Sequence, residues 1–210
     1  MALDTDFNDK QIQILEVAEM LFAEKGFDGT SIRNIAKEAK INIAMVSYYF
    51  GSKERLLEAL ILYRTSDLKS QLDNLIKENL EPLEKINKLI DLYINRINCN
   101  KGIYRIIHFE FTAKKRDSDL LAFSELKKGN LNSLEAIILE GQAKGVFRKD
   151  IIIPLITPTI LGTFFHFHMN RPFFENLLNL KTEDLYNNYI KTILTNHIQQ
   201  IIKALLIYES

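Results

Sequence analysis

The sequence predicts an all-α protein, and three observations predict it. Apolar residues recur at intervals of three and four along most of the chain. Turn-forming residues are scarce, with eight glycines and four prolines in 210 residues. The 47% hydrophobic content is enough to bury a sizeable core and is foreign to disordered or fibrous chains.

Residues 1 to 8 read as an arm. From Asp9 to Lys25 the positions Ile12, Leu15, Ala18 (or Glu19) and Phe22, flanked by Ile14 and Leu21, make one amphipathic helix. Gly26 is placed to close it in a left-handed conformation, and Phe27 to pack back onto the helices around it. After Asp28 and Gly29, the stretch TSIRNIAKEAKINIAMVSYYFGSK, residues 30 to 53, reads as two short helices at a tight turn and the start of a third. Ile32, Ile35, Ala36 and Ala39 form the stripe of the first, and Ile41, Val46, Tyr49 and Phe50 continue it. This is a helix-turn-helix pattern. Thr30 and Ser31 are both suitable N-caps, and their hydroxyls with the free N–H groups of the first turn make a phosphate site. Ala44 is small where the helices must cross closely. Asn42, Ile43, Ala44, Met45, Ser47 and Tyr48 lie mostly outside the stripe and are the side chains available to a major groove. The same two-helix pattern also occurs in helical proteins that never touch DNA.

Ser52 is the expected N-cap of the next helix, with Glu54 in its first turn. Lys53 opposes the helix dipole there, which a phosphate partner explains; a solvated lysine is the ordinary alternative. A long helix follows to about Asn79, continuous or broken near Thr65 to Asp67. Pro82 opens a helix carrying Leu83, Ile86, Leu89, Ile90, Tyr93, Ile94 and Ile97. Gly102 is expected to interrupt the chain before a short helix, Ile103 to about Lys115, that is apolar nearly all round and therefore buried. Asp119 to Lys144 is the next helix, with Gly129 and Asn130 as a possible kink and Gly145 as its end. Pro154 or Pro158 starts a helix to about Asn170, and a loop through Arg171, Pro172 and Phe173 leads to a last helix, Thr182 to Leu206. Its apolar stripe is too wide for one neighbour, so it is either central to its own domain or paired with a second subunit.

Charge gives no global pull toward nucleic acid, since 27 basic residues balance 27 acidic ones. Residues 1 to 64 hold eight basic and ten acidic residues, a difference of minus two. Binding DNA then requires segregation, with Arg33, Lys37, Lys40 and Lys53 around the motif and Asp4, Asp6, Asp9, Glu16 and Glu19 on the arm and first helix. A single cysteine, Cys99, excludes an intramolecular disulfide and fits a reducing cytoplasm. No signal sequence opens the chain. Ile151 to Asn170 has no charged residue, but its prolines, glycine, threonines and histidines suit a helix buried among others better than a bilayer. His166 and His168 point about 200° apart on a helix and cannot share a metal. His108 and Glu110 have the same spacing, and no zinc spacing, phosphate loop or nucleophile motif occurs. The expectation is a non-enzyme without metal or cofactor.

Residues 12 to 57, from IQILEVAEMLFAEKGFDGTSIRNIAKEA through INIAMVSYYFGSKERLL, resemble the DNA-binding domain of the TetR family of bacterial transcriptional repressors. The resemblance is carried by AEMLFAEKGF, the Thr-Ser helix start, IAKEA and YYFGSKERLL. Ser47 departs from it, standing where many members carry tyrosine, so a contact expected there is missing or shifted to Tyr48. Beyond residue 57 the resemblance covers architecture only, with GVFRKDI similar to the connector ahead of the last two helices. It implies a DNA-binding domain over residues 1–52 and a helical effector-binding and dimerisation domain over residues 53–210. The implied partners are an operator in double-stranded DNA, a small effector and a second copy docked through the last two helices, with no membrane. Thr30, Ser31 and Lys53 are the expected phosphate-side residues and Asn42, Ala44, Met45, Ser47 and Tyr48 the groove-side ones, with Arg33 and Tyr49 completing the expected DNA-binding set. Tyr93, Tyr104, His108, Phe111, Phe123, Phe164, Phe165 and His168, with His166 near them, supply rings and a few polar atoms for a mostly apolar pocket; each of them also reads as core. The long helix after Lys53 becomes a lever that sets the separation of two recognition helices. The alternative is a helical small-molecule binder that has lost DNA recognition.

Overall fold

A computed structural model describes residues 7–112 and 121–207. The side chains of Arg105, residues 108–112 and residues 121–123 lie outside that description, and with them His108, Phe111 and Phe123. Among the described residues there are helices and no strands.

The first helix, α1 (Asp9–Lys25), begins at a capping box in which the Asn8 side chain accepts from the backbone of Lys10 and Gln11 while the Gln11 side chain accepts from the Asn8 N–H. It ends at Gly26, whose φ of +74° is a conformation that favours glycine. α2 (Ile32–Glu38) and α3 (Ile43–Phe50) follow, joined by a turn in which Lys40 takes φ of +54° and the Ile41 N–H donates to Ala36 O. α4 (Lys53–Lys77) shows no break at Thr65: that residue is buried and its hydroxyl donates to Ile61 O at 2.6 Å, inside the helix. α5 (Pro82–Cys99) and α6 (Lys101–Thr112) come next.

Here the structure corrects the sequence reading. The interruption falls at Asn100, and Gly102 sits in the first turn of α6. A Cβ at Gly102 would lie 3.3 Å from Glu19 Oε1 and 3.9 Å from Ala23 Cβ, so the glycine is explained by the approach of α6 to α1. α7 (Leu121–Ala143) passes through Gly129 and Asn130 as one helix. A short 3₁₀ turn, Ile153–Leu155, precedes α8 (Ile156–Met169). The expected loop at Arg171 to Phe173 is instead the start of another helix, α9 (Arg171–Leu177), with Pro172 in the first turn, where the missing N–H is harmless. α10 (Glu183–Tyr189), capped by Thr182, runs through a π-turn, Ile190–Leu194, into α11 (Thr195–Leu206). In that turn the Thr195 hydroxyl donates to Ile190 O at 2.8 Å.

The helices divide into two units. One comprises Met1–Lys69 and Cys99–Lys128, the other Ser70–Asn98 and Gly129–Ser210, so α4 contributes residues to both. The first has a continuous core of Ile14, Leu15, Ala18, Phe22, Ile35, Val46, Phe50, Leu56, Leu60, Ile103 and their neighbours. The second buries Ile86, Leu89, Ile90, Ile137, Ile160 and Phe164. With them runs the row Tyr186, Ile190, Leu194, Ile198, Ile202 and Leu206 along the last helix. It also buries Lys85, whose ammonium is held by Ile76 O at 2.9 Å and by Glu140 at 2.8 Å. Among the described residues no helix is long and apolar enough to cross a membrane.

Candidate nucleic-acid interface

The position of α3 follows from its two apolar anchors. Val46 and Phe50, four apart and so on one face, are buried in the core with Ile35 and Ala36 of α2. Gln13 of α1 donates to Ala39 O at 3.1 Å and ties the turn between α2 and α3 to the first helix. The opposite face is thereby turned outward: Ile43, Ala44, Ser47 and Tyr48 are exposed, and Tyr48 retains 84% of its accessible surface. Met45 and Tyr49 are half-buried at the edges of that face. Tyr49 packs on the core and meets Tyr48 edge-on at 5.3 Å between ring centres, which limits where the Tyr48 ring can swing. Asn42 is exposed but occupied, since its side-chain oxygen accepts the Ala44 N–H at 2.9 Å as the N-cap of α3.

The two hydroxyl residues before α2 separate in role. Ser31 is exposed and is the cap: its oxygen accepts the Asn34 N–H at 3.1 Å, and Asn34 returns a bond from the Ser31 N–H at 3.0 Å. Thr30 is 1% exposed, and its hydroxyl is directed inward at Leu21 O (3.1 Å) and Gly26 O (2.9 Å). The expected phosphate contact from the Thr30 hydroxyl is therefore corrected, because that group ties the end of α1 to the start of α2. Lys53 is also turned inward. Its ammonium donates to Phe27 O at 3.0 Å and Thr30 O at 2.9 Å and lies 4.2 Å from the centre of the Phe27 ring. Two carbonyls and a ring face offset the repulsion from the N-terminus of α4, so a phosphate is not needed to explain this lysine. Arg33, Lys37, Lys40 and Arg55 are exposed around the motif. Asp9 and Glu16 are exposed on α1, while Asp28 and Glu38 are exposed beside the basic residues of the motif.

The expected pocket residues do not converge in one place. Tyr104 is half-buried against the core of the first unit, whereas Tyr93 is buried in the second. Phe164, fully buried, meets Phe165 edge-on at 6.0 Å and stacks on His168 at 6.0 Å. His168 faces the Tyr186 hydroxyl at 3.4 Å, and burial pushes the Tyr186 phenol up to about 12. Tyr93, Phe164 and Tyr186 belong to the core, and Tyr104, Phe165 and His168 are half-buried. A groove of about 670 Å³ in the second unit is lined by His166, the one member of the expected pocket group it takes in, together with Phe167, Phe174, Tyr189, Ile193, His197 and their neighbours. The spacing of Tyr189, Ile193 and His197 along one helical face was the sequence signal for it. Phe174 was hidden by reading α9 as a loop.

Residues 14–60 match the sequence model of bacterial regulatory proteins of the tetR family, and residues 82–194 match that of the tetracyclin repressor-like C-terminal domain. The transcriptional repressor NicS of Pseudomonas putida is 28% identical over 180 residues, covering 81% of each chain. The fatty acid metabolism regulator protein of Bacillus subtilis is 26% identical over 157 residues, covering 73% of this chain and 79% of that one. Among solved structures, FadR from Bacillus subtilis in complex with stearoyl-CoA superposes with a TM-score of 0.73 at 22% identity, over 92% of this chain and 97% of that one. The ketosteroid regulator KstR2 of Mycobacterium tuberculosis gives 0.68 at 18% identity, over 99% and 100%. With its outward-facing α3 inside one matched segment and most of its second unit inside the other, the chain belongs to the TetR family of bacterial transcriptional regulators.

Proposed function

We propose that the protein is a ligand-responsive repressor that binds a pseudo-palindromic operator as a homodimer and is released by a small, mostly apolar effector. Residues 1–52 serve as the DNA-binding domain and residues 53–210 as the effector-binding and dimerisation domain. The observation that carries the DNA half is the exposed face of α3, with Tyr48 at its centre and the anchors Val46 and Phe50 on the other side. Ser31 and Arg33 serve phosphates, while Asn42, Ala44, Met45, Ser47 and Tyr48 face base edges. An eight-residue helix spans too few base pairs to find a site in a genome, so two copies about one turn of DNA apart are required.

Dimerisation through the last helices is supported by their outer surface. Met169, Phe173, Leu177, Leu185 and Ile193 are large apolar side chains left exposed on those helices, as a surface covered by a second copy would be. An apolar effector is supported by the aromatic content of the second unit and by the acyl chain of the stearoyl-CoA in the FadR complex, although the CoA head of that molecule is charged. The unbroken α4 supports a lever. An effector that favours a spread dimer weakens DNA binding, and DNA weakens effector binding equally.

Selection of random duplex DNA against the full-length protein tests this reading. An enriched pseudo-palindrome, bound more weakly by Tyr48→Ala and released by stearoyl-CoA as a probe, is the expected result. The deficit of two positive charges over residues 1 to 64 favours a second reading, a binding protein without DNA recognition. No enrichment, together with saturable acyl-CoA binding, would establish that second reading in place of the first.

A further inference from the structure

We infer that the recognition helix reads its operator through the C5 methyl groups of thymines, and that Ile43 makes the deciding contact. The inference rests on the DNA-binding reading above and specifies what is recognised. α3, Ile43–Phe50, contains no charged residue, no glutamine and no asparagine. Guanine is ordinarily read by arginine or lysine, adenine by asparagine or glutamine, and cytosine by a carboxylate, each through hydrogen bonds to base edges in the major groove. None of those side chains lies on this helix. Asn42 immediately precedes it, but its side-chain oxygen accepts the Ala44 N–H. Its orientation is set by that cap at the start of the helix, so a bidentate contact to adenine would have to compete with the cap.

What the exposed face offers is hydrocarbon. Ile43 is 44% exposed in the first turn, Ala44 beside it is exposed, and Met45 is half-exposed. The outward polar groups on the helix are the hydroxyls of Ser47 and Tyr48, and a hydroxyl both donates and accepts, so it discriminates poorly between base edges. In the major groove the apolar group that distinguishes one base pair from the others is the thymine methyl. The basic side chains around the motif, Arg33, Lys37, Lys40 and Arg55, belong to α2, the turn and α4, where they supply attraction to phosphates. Affinity and sequence choice are thus divided between different elements. Charged residues outside α3 hold the duplex, and a branched aliphatic side chain at the start of α3 selects thymine.

The test uses the full-length protein and duplexes enriched from a thymine-containing random library. Each enriched duplex is remade with deoxyuridine at every thymine, which keeps the pairing and removes only the methyl groups. Burying one methyl changes affinity by a factor of about four, so losing one contact in each half-site weakens binding about fifteenfold. Ile43→Ala should bind the thymine duplex about fifteenfold more weakly than the parent and should be indifferent to the uracil exchange. Its salt dependence should match the parent's, because no phosphate contact is altered. Ile43 is exposed and alanine favours helix, so the variant is expected to fold, which circular dichroism checks. Equal binding of thymine and uracil duplexes by the parent overturns the inference and leaves the DNA-binding reading standing. A uracil effect of the same size in Ile43→Ala also overturns it, by assigning the sensitivity to duplex shape. Failure to enrich any duplex removes the DNA-binding reading itself.

Discussion

Replacing Lys53 by methionine separates a phosphate anchor from an internal brace. Methionine keeps the aliphatic stem and removes the ammonium, which donates to Phe27 O at 3.0 Å and Thr30 O at 2.9 Å and sits 4.2 Å from the Phe27 ring centre. Lys53 is half-buried, so each of the two hydrogen bonds is assigned about 1 kcal/mol. The ring contact adds about 0.5 kcal/mol, and removing a cation from the N-terminus of α4 returns about 0.5 kcal/mol. The net loss is about 2 kcal/mol, which for a chain of this length lowers the thermal midpoint by roughly 4 to 8 °C. Differential scanning calorimetry reads the shift, and gel shifts well below the midpoint read DNA affinity. The brace predicts lost stability with modest change in the affinity of the remaining folded protein. A methionine variant of unchanged stability that binds every duplex weakly would show that Lys53 holds a phosphate and refute the brace.

Three further outcomes follow from other sites. Gly141→Ala places a Cβ 2.1 Å from Cδ2 of the buried Phe147, so it should destabilise the protein by about 1 to 3 kcal/mol through overpacking, read by urea denaturation. Hydrogen bonds from Lys85 and Lys144 hold the Glu140 carboxyl below its ordinary value of 4.5. Its contribution is present above about pH 4.5 and disappears as pH falls toward the lowered folded value. Glu140→Gln should therefore be less stable than the parent at pH 7, with the gap closing in acid; a gap that widens on acidification contradicts the pairing. Ile193→Glu puts a charge on an exposed apolar side chain of the groove. Sedimentation should show it monomeric and gel shifts should show specific DNA binding abolished, whereas a dimer of parental affinity removes this face from the interface.

Much of the fold was legible because periodicity and punctuation agree. Asp9–Lys25 has a stripe and a terminal glycine that mark the same helix, whereas its capping box starts at Asn8, inside the stretch that reads as an arm. The outward face of α3 was legible for the same reason, since Val46 and Phe50 leave the other side chains nowhere to go but outward. The roles of Thr30 and Lys53 were not. Both depend on carbonyls brought near by folding, Leu21 O nine residues from Thr30, and Phe27 O and Thr30 O 26 and 23 residues from Lys53. Two adjacent hydroxyls look alike in sequence, and only the fold decides which one is buried. Gly102 and Pro172 misled in the opposite sense. A glycine required by the approach of α6 to α1 reads as a break, and a proline tolerated in a first turn reads as a loop. The aromatic residues could not be sorted at all, because a ring that fills a core and a ring that lines a pocket have the same composition and spacing.

The π-turn at Ile190–Leu194 has a consequence for the whole last helix. Tyr186, Ile190, Leu194, Ile198, Ile202 and Leu206 are all buried, yet they follow one another at intervals of four. On a regular α-helix such a row slips about 40° per step, so its two ends would face nearly opposite directions, about 200° apart. One wide turn, with an extra residue in it, takes back about 100° of that slippage. The arc that remains is about as broad as the apolar side of an ordinary packed helix. The wide turn thus acts as a phase correction: straightening it into regular α-helix with every residue kept would rotate one half of the row out of the interior, whereas deleting a single residue within it would leave both halves facing inward.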